Sequence, residues 1–181
     1  MEDYAYILDY LPQGHMDGKR LHRQPTAYAL GDTQFKILEL TPRENSSLLT
    51  GDRVYIGKDM EKREKILHVK RRINFGELTH AAQSELPFIV LEIVHNQEER
   101  FVKFFNTSEA ITTRFHMLEL LPGLGKKSMW AILEERRKSL FTSFHDLEAR
   151  TKVRHPDKLI AKRIESELSE QNQKYHVFVV K

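Results

Sequence analysis

Between Tyr4 and Ile73 the apolar residues come in short runs, each closed by a turn former. Tyr4 to Leu11 is dense in aromatic and β-branched types and stops at Pro12, which predicts a first strand. Pro12 to Pro25 holds Gly14 and Gly18 among Lys19, Arg20 and Arg23, and reads as a long basic loop. Thr26 to Leu30 is a second strand, turned at Gly31 and Asp32. Phe35 to Thr41 alternates apolar with polar and is a third, ended by Pro42. Gly51 to Gly57 gives a turn and a short fourth strand, and Lys65 to Ile73 a fifth. Five short strands in about seventy residues predict a small barrel, because closing the sheet on itself hides its edges.

Beyond Ile73 the apolar spacing lengthens to that of helices. Leu78 to Leu86 predicts a short helix, and Pro87, with its fixed φ and missing N–H, suits the first position of the next. In Phe88 to Val94 apolar side chains point to all sides, as in a largely buried helix, with a strand as the alternative. Further helices are expected over Glu98 to Phe105, over Ser108 to Leu120 and over Lys126 to Lys138. Ser143 to Asp146 reads as a capping box opening another, and Pro156 opens the last. The tail, Tyr175 to Val180, is strand-like.

With 40% apolar and 30% charged residues, the 181-residue chain fits a folded protein of one large domain or two small ones. The absence of cysteine excludes disulfides, thiolate metal sites and cysteine nucleophiles. The nine histidines make no paired ligand spacing on a helix turn, so neither metal nor cofactor is expected. The longest apolar runs fall short of a membrane span, and Met1-Glu2-Asp3-Tyr4 lacks the pattern of a secretory leader. The expectation is a cytoplasmic protein without a membrane partner. Net charge is only +3, but residues 1–60 carry −2 and residues 111–181 carry +5. That asymmetry, with the local cluster Lys70, Arg71 and Arg72, points to a polyanionic partner; ordinary solvated helix faces are the plainer reading.

The chemistry concentrates in Leu121 to Leu133. Pro122 helps end what precedes it, while Gly123 and Gly125 let the backbone turn tightly and leave its N–H groups accessible. A helix starting immediately afterwards adds unpaired first-turn N–H groups and the positive end of its dipole. Together these make a cradle for phosphate, with Lys126 and Lys127 at its rim. A tight turn between two packed helices is the structural alternative.

This segment resembles the helix-hairpin-helix family at Leu121, Pro122, Gly123, Leu124, Gly125, Lys127 and Ser128, with Met129 where that family usually has alanine. The resemblance implies grip on the sugar-phosphate backbone without sequence preference, supported by Arg136 and Arg137 farther along the helix. Residues 144–164 look like a second, degenerate copy without the hairpin glycines. That copy is either structural or touches phosphate through Arg154, Lys158, Lys162 and Arg163. Nearly the whole chain also resembles an uncharacterised, mainly archaeal family of predicted RNA-binding proteins. The residues that carry this are Tyr6 to Leu11, Gly51 to Gly57, Leu78-Thr79, Ser84 to Pro87, Ile111 to Arg114 and Leu159 to Arg163. It implies an OB-like barrel followed by helix-hairpin-helix, and a role with RNA in translation or ribosome assembly.

The fold expected is therefore α+β. An OB-like five-stranded barrel spans 1–73, a helical connector 74–107, a tandem helix-hairpin-helix domain 108–170 and a strand-like tail 171–181. In such a barrel Tyr4, Tyr6, Tyr28, Phe35 and Tyr55, with Lys36 and Arg53, would stack bases, although half of any strand's aromatics face the core. The loop cations Lys19, Arg20 and Arg23, and the strand-end cations Lys70, Arg71 and Arg72, are further candidates. Trp130 reads first as a packing anchor against the neighbouring domain and second as a base-stacking side chain. The function expected is non-catalytic binding of nucleic acid, RNA before DNA. The rival is a protein-interaction adaptor on the ribosome or transcription machinery. A DNA glycosylase or lyase using Lys127 with Asp146 is the more distant alternative, because such enzymes need a larger all-helical fold around a flipped base.

Overall fold

The computed structural model describes residues 1–17, 20–170 and 172–181. Its compact units are residues 1–89 with 167–181, and residues 90–166, where the sequence suggested boundaries after 73, 107 and 170. The first unit holds strands β1 (Tyr4–Leu11), β2 (His15–Asp17), β3 (Arg20–His22), β4 (Thr26–Gly31), β5 (Ile37–Pro42), β6 (Arg53–Tyr55) and β7 (Ile66–Arg72). The long basic loop thus carries a small hairpin, β2 with β3.

The other five strands form one antiparallel sheet in the order β6-β1-β4-β5-β7. The expected closed barrel is instead a curled half-barrel. All three residues of β6 pair with β1, and among the described residues the ladder ends there and at β7. Register shifts between Ile7 and Asp9 in β1, and opposite Glu39 and Leu40 in β5, supply the curl, since a bulge bends its strand. Alternate residues Ala5, Ile7, Ala27, Ala29, Leu38 and Leu40 build one core with Val54, Ile56 and Ile66. Their neighbours Tyr6, Leu8, Tyr28 and Leu30 are buried as well, so the central strands are covered on both faces.

The tail forms no strand among its described residues. The N–H groups of Val177, Phe178 and Val179 donate to the buried Glu167 carboxylate at 2.8, 3.0 and 2.9 Å, which removes them from any ladder. Helix α1 runs unbroken over His80–Asn96 with Pro87 inside it, where two helices were expected. Proline in a helix interior costs about 3 kcal/mol. Burial of Leu86, Ile89, Val90, Ile93 and Val94 along the same helix offsets that cost.

The second unit contains the end of α1, then α2 (Glu98–Thr107), β8 (Ala110–Thr112), β9 (Phe115–His116), a 3-10 turn (Met117–Leu120), α3 (Lys126–Lys138), α4 (Phe144–Thr151) and all but the last turn of α5 (Pro156–Ser169). The helix expected over 108–120 is absent. Ile111, Thr112 and Thr113 are β-branched in succession, and the chain makes a small hairpin of β8 and β9 there. His116 then restarts it as the 3-10 turn: its Nδ1 accepts from the Leu118 N–H at 3.0 Å, and Glu119 accepts from the His116 N–H at 2.7 Å. Ser143 caps α4 as expected, its Oγ accepting from the Asp146 N–H at 2.9 Å. At the far end of α3 the Arg150 guanidinium donates to the carbonyls of Glu135 and Ser139 at 2.7 and 2.8 Å, satisfying groups the helix leaves open.

Candidate functional site

Leu121 and Leu124 are buried, while Pro122 and Gly123 between them and Gly125 after them are exposed. The two leucines pin the bend and its tip faces outward. The Leu124 N–H donates to the Leu121 carbonyl at 3.1 Å, which closes a tight turn. Gly123 has φ +89°, where a side chain costs about 1–2 kcal/mol. Gly125 is the N-cap of α3 in extended conformation, and the space where a Cβ would sit is open to 4 Å. Being glycine, it offers the first turn of α3 no side-chain acceptor. The N–H groups of that turn lack intrahelical partners by geometry, and Lys126 and Lys127 beside them are exposed.

α5 supports this bend from beneath. A Cβ on Gly123 would lie 3.7 Å from Leu159 Cδ2. Arg163 is buried and donates to the Leu120 carbonyl at 3.4 Å, so it holds the approach to the bend and does not reach out for phosphate. Lys158 and Lys162 are exposed on the same stretch of α5, one residue before and three after Leu159. Arg154 is exposed in the loop before α5.

Other candidates lie elsewhere. Arg136 and Arg137 stand ten and eleven residues into α3, about 15 Å along its axis from the bend. Arg137 is exposed, whereas Arg136 donates to the Phe105 carbonyl and Ser108 Oγ at 3.0 and 3.2 Å. In the first unit, Lys70 Nζ and Arg71 Nε converge on the Glu39 carboxylate at 2.6 and 2.7 Å, and Arg71 also reaches Glu77. Neighbours on a strand normally point to opposite faces. Here Lys70 is the extra residue of the bulge between Val69 and Arg71, which brings both cations to one carboxylate. Burial pushes Glu39 up, but Lys70 and Arg71 outweigh it and hold it below the ordinary glutamate range. Arg72 donates to the Val180 carbonyl at 2.7 Å. Lys19 lies outside the described residues, only the backbone of Arg20 is described, and Arg23 is exposed.

The expected stacking platform on the sheet reduces to two rings. Tyr6, Tyr28 and Phe35 are buried in the core, and Phe35 sits at φ +54° outside β5. Tyr4 and Tyr55 reach the surface edge to face, 5.2 Å apart, and the Arg53 guanidinium lies 3.7 Å over the Tyr4 ring while pairing with Asp32. Lys36 is half-buried.

A feature that sequence reasoning missed lies beside the bend. A groove of about 400 Å³ separates α3 from the β8–β9 hairpin, with Arg114, Phe115, His116, Lys126, Met129 and Trp130 among its walls. Met129 is buried at its base, and Trp130 is 61% exposed, so Trp130 is no packing anchor. Burial, and next the charge of Arg136, hold His116 below the ordinary histidine value. The local signal was the run Ile111 to Arg114, whose β-branched residues favour a hairpin over a helix. A larger hollow of about 530 Å³ in the first unit is lined by Phe35, Arg72 and His176, among others, but its Arg72 is already bound to the tail. Asp146, the candidate lyase partner of Lys127, accepts from the Thr142 N–H and Arg150 at 3.1 Å each. Among the described residues no three His, Asp or Glu side chains gather to hold a metal ion, and no helix is long and apolar enough to cross a membrane.

Comparison with known proteins places this architecture. The uncharacterized protein MJ0038 of Methanocaldococcus jannaschii is 49% identical over 179 residues, which is 98% of this chain and 80% of that protein. The crystal structure of Af1531 from Archaeoglobus fulgidus superimposes with a TM-score of 0.90 at 46% identity, covering 99% of this chain and 100% of that one. The family model described as "Protein of unknown function (DUF655)" matches residues 1–180. The chain therefore belongs to the DUF655 family, which has archaeal members.

Proposed function

We propose that this protein binds nucleic acid without catalysis, RNA in preference to DNA, and that it grips the phosphate backbone at the bend from Leu121 to Ser128. The observation that carries this reading is the N-cap at Gly125. An exposed helix N-terminus with no side-chain acceptor of its own leaves main-chain donors for an external anion. Lys126 and Lys127 are exposed beside it on α3, and Lys158 and Lys162 are exposed on α5 to either side of Leu159, the residue beneath Gly123. The bend acts as the hairpin of a helix-hairpin-helix unit in which the 3-10 turn replaces the first helix and α5 supplies the support. In this reading the half-barrel is OB-like and lends secondary contacts through Arg23. The preference for RNA follows the resemblance to predicted RNA-binding proteins, and ribosome or transcription components are where such a ligand would be met. The engagement of Asp146 with Thr142 and Arg150 favours binding over lyase chemistry.

Fluorescence anisotropy with labelled single-stranded RNA, RNA hairpin and duplex DNA between about 50 and 200 mM salt tests the reading. If three or four of these lysines neutralise phosphates, the logarithm of affinity falls against the logarithm of salt with a slope of about −3. Binding that is absent, or indifferent to salt, would instead favour the protein-interaction adaptor.

A further inference from the structure

We propose that the groove between α3 and the β8–β9 hairpin receives an unpaired nucleobase, stacked on Trp130, from the strand whose phosphate sits at the Gly123–Gly125 bend. The inference rests on the phosphate-binding reading above and adds what kind of nucleic acid the site selects. Lys126, Met129, Trp130 and Leu133 fall at i, i+3, i+4 and i+7 of α3, one continuous stripe facing the hairpin. Along it the surface changes from cation to aromatic in a single turn. Lys126 belongs to the phosphate cradle, and Trp130 follows about 6 Å farther along the axis. That is the scale on which one nucleotide joins its phosphate to its base.

The walls suit a base better than an apolar peptide. An indole exposed at 61% in a folded protein is a large apolar surface without a cover. Phe115 stands on the opposite wall. The charge is complementary to a polyanion: Arg114 and Lys126 are exposed at the groove. Glu119, the one carboxylate on the walls among the described residues, is occupied by the His116 N–H. His116 adds a neutral donor. Its Nδ1 accepts from Leu118, so the proton of the uncharged ring is on Nε2. A volume of about 400 Å³ lies within the range of small-ligand sites. Bases inside a duplex are stacked on each other and cannot enter. The groove therefore discriminates for single strands, bulges and frayed ends.

Trp130 is the only tryptophan of the chain, so its fluorescence reports on this site alone. We would titrate the full chain with a single-stranded RNA oligonucleotide, the same strand carrying abasic positions, and a blunt RNA duplex, reading both anisotropy of the labelled strand and Trp130 emission. The single strand should quench Trp130, while the abasic strand and duplex bind without quenching. Trp130→Ala should weaken the single strand about five- to 150-fold, the range measured for loss of one base–aromatic stack, and leave the abasic strand unchanged. Trp130→Phe should restore most of the affinity. If the single strand binds but Trp130 emission and the Trp130→Ala affinity do not change, the groove assignment is wrong and the bend alone carries binding. If no strand binds at all, both readings fall together.

Discussion

At Gly125 a single missing side chain leaves the first turn of α3 without a side-chain acceptor. Serine, threonine, aspartate or asparagine at an N-cap would accept from the first turn of α3 and strengthen the fold, yet glycine stands there with open space around it. Gly125→Asp should therefore raise stability by a few tenths to about 1 kcal/mol, read as the midpoint of urea unfolding. Glu39 illustrates the opposite case, a buried carboxylate that two half-exposed cations keep charged. Its contribution to stability is complete above the ordinary glutamate value near pH ~4.3 and is lost as pH falls through its lower folded value. Glu39→Gln should destabilise by about 1–3 kcal/mol at neutral pH, discounted for the exposure of Lys70 and Arg71, and the gap to the parent should narrow in acid. These residues also mark what was legible. The glycines could be read from sequence because their effect is local to five residues. The pairing of Lys70 and Arg71 with Glu39 was not legible, because Glu39 is about thirty residues away and is reached only through a bulge that no alternation pattern reveals.

At the level of elements, periodicity worked where one face is buried. The cores of β1, β4, β5, β6 and β7 and helices α2 to α5 all lie where apolar spacing put them. It failed where local bonds override spacing. Pro87 suggested a helix start, but the burial around it carries α1 through. The valines of the tail suggested a strand, but Glu167 takes the N–H groups of Val177 and Val179. Ile111, Phe115 and Leu118 can be drawn on one helical face, but the β-branched run and the reciprocal bonds of His116 and Glu119 make a hairpin and a 3-10 turn. The groove was hidden by that same error, since its far wall is the hairpin. His116 gives the element a measurable signature. Because burial depresses its pKa, its cap contributes stability in full above the ordinary histidine value near pH ~6.5, and that contribution is lost as pH falls through the lower folded value. A carbon-resolved NMR titration should show His116 titrating later on acidification than the histidine of a short unstructured reference peptide. A midpoint at or above that of the reference peptide would show that the ring is not held neutral by burial.

Across the whole molecule, the uneven charge of the sequence resolves into two kinds of cation. In the first unit Lys70, Arg71 and Arg72 are engaged internally, by Glu39, Glu77 and the Val180 carbonyl. In the second unit Lys126, Lys127, Lys158 and Lys162 stay exposed, whereas Arg136 and Arg163 are bound to backbone carbonyls. Net charge alone could not separate the two kinds, because it counts ionisable groups without their partners. The central claim is that main-chain donors at Gly125 hold phosphate, and Gly125→Asp tests it most directly, because the substitution acts on stability and binding in opposite directions. With single-stranded RNA at low salt, the account predicts a variant at least as stable as the parent whose affinity is down by about tenfold or more, as the new carboxylate occupies the N–H groups and repels the strand. A stable variant that binds RNA as tightly as the parent would contradict it.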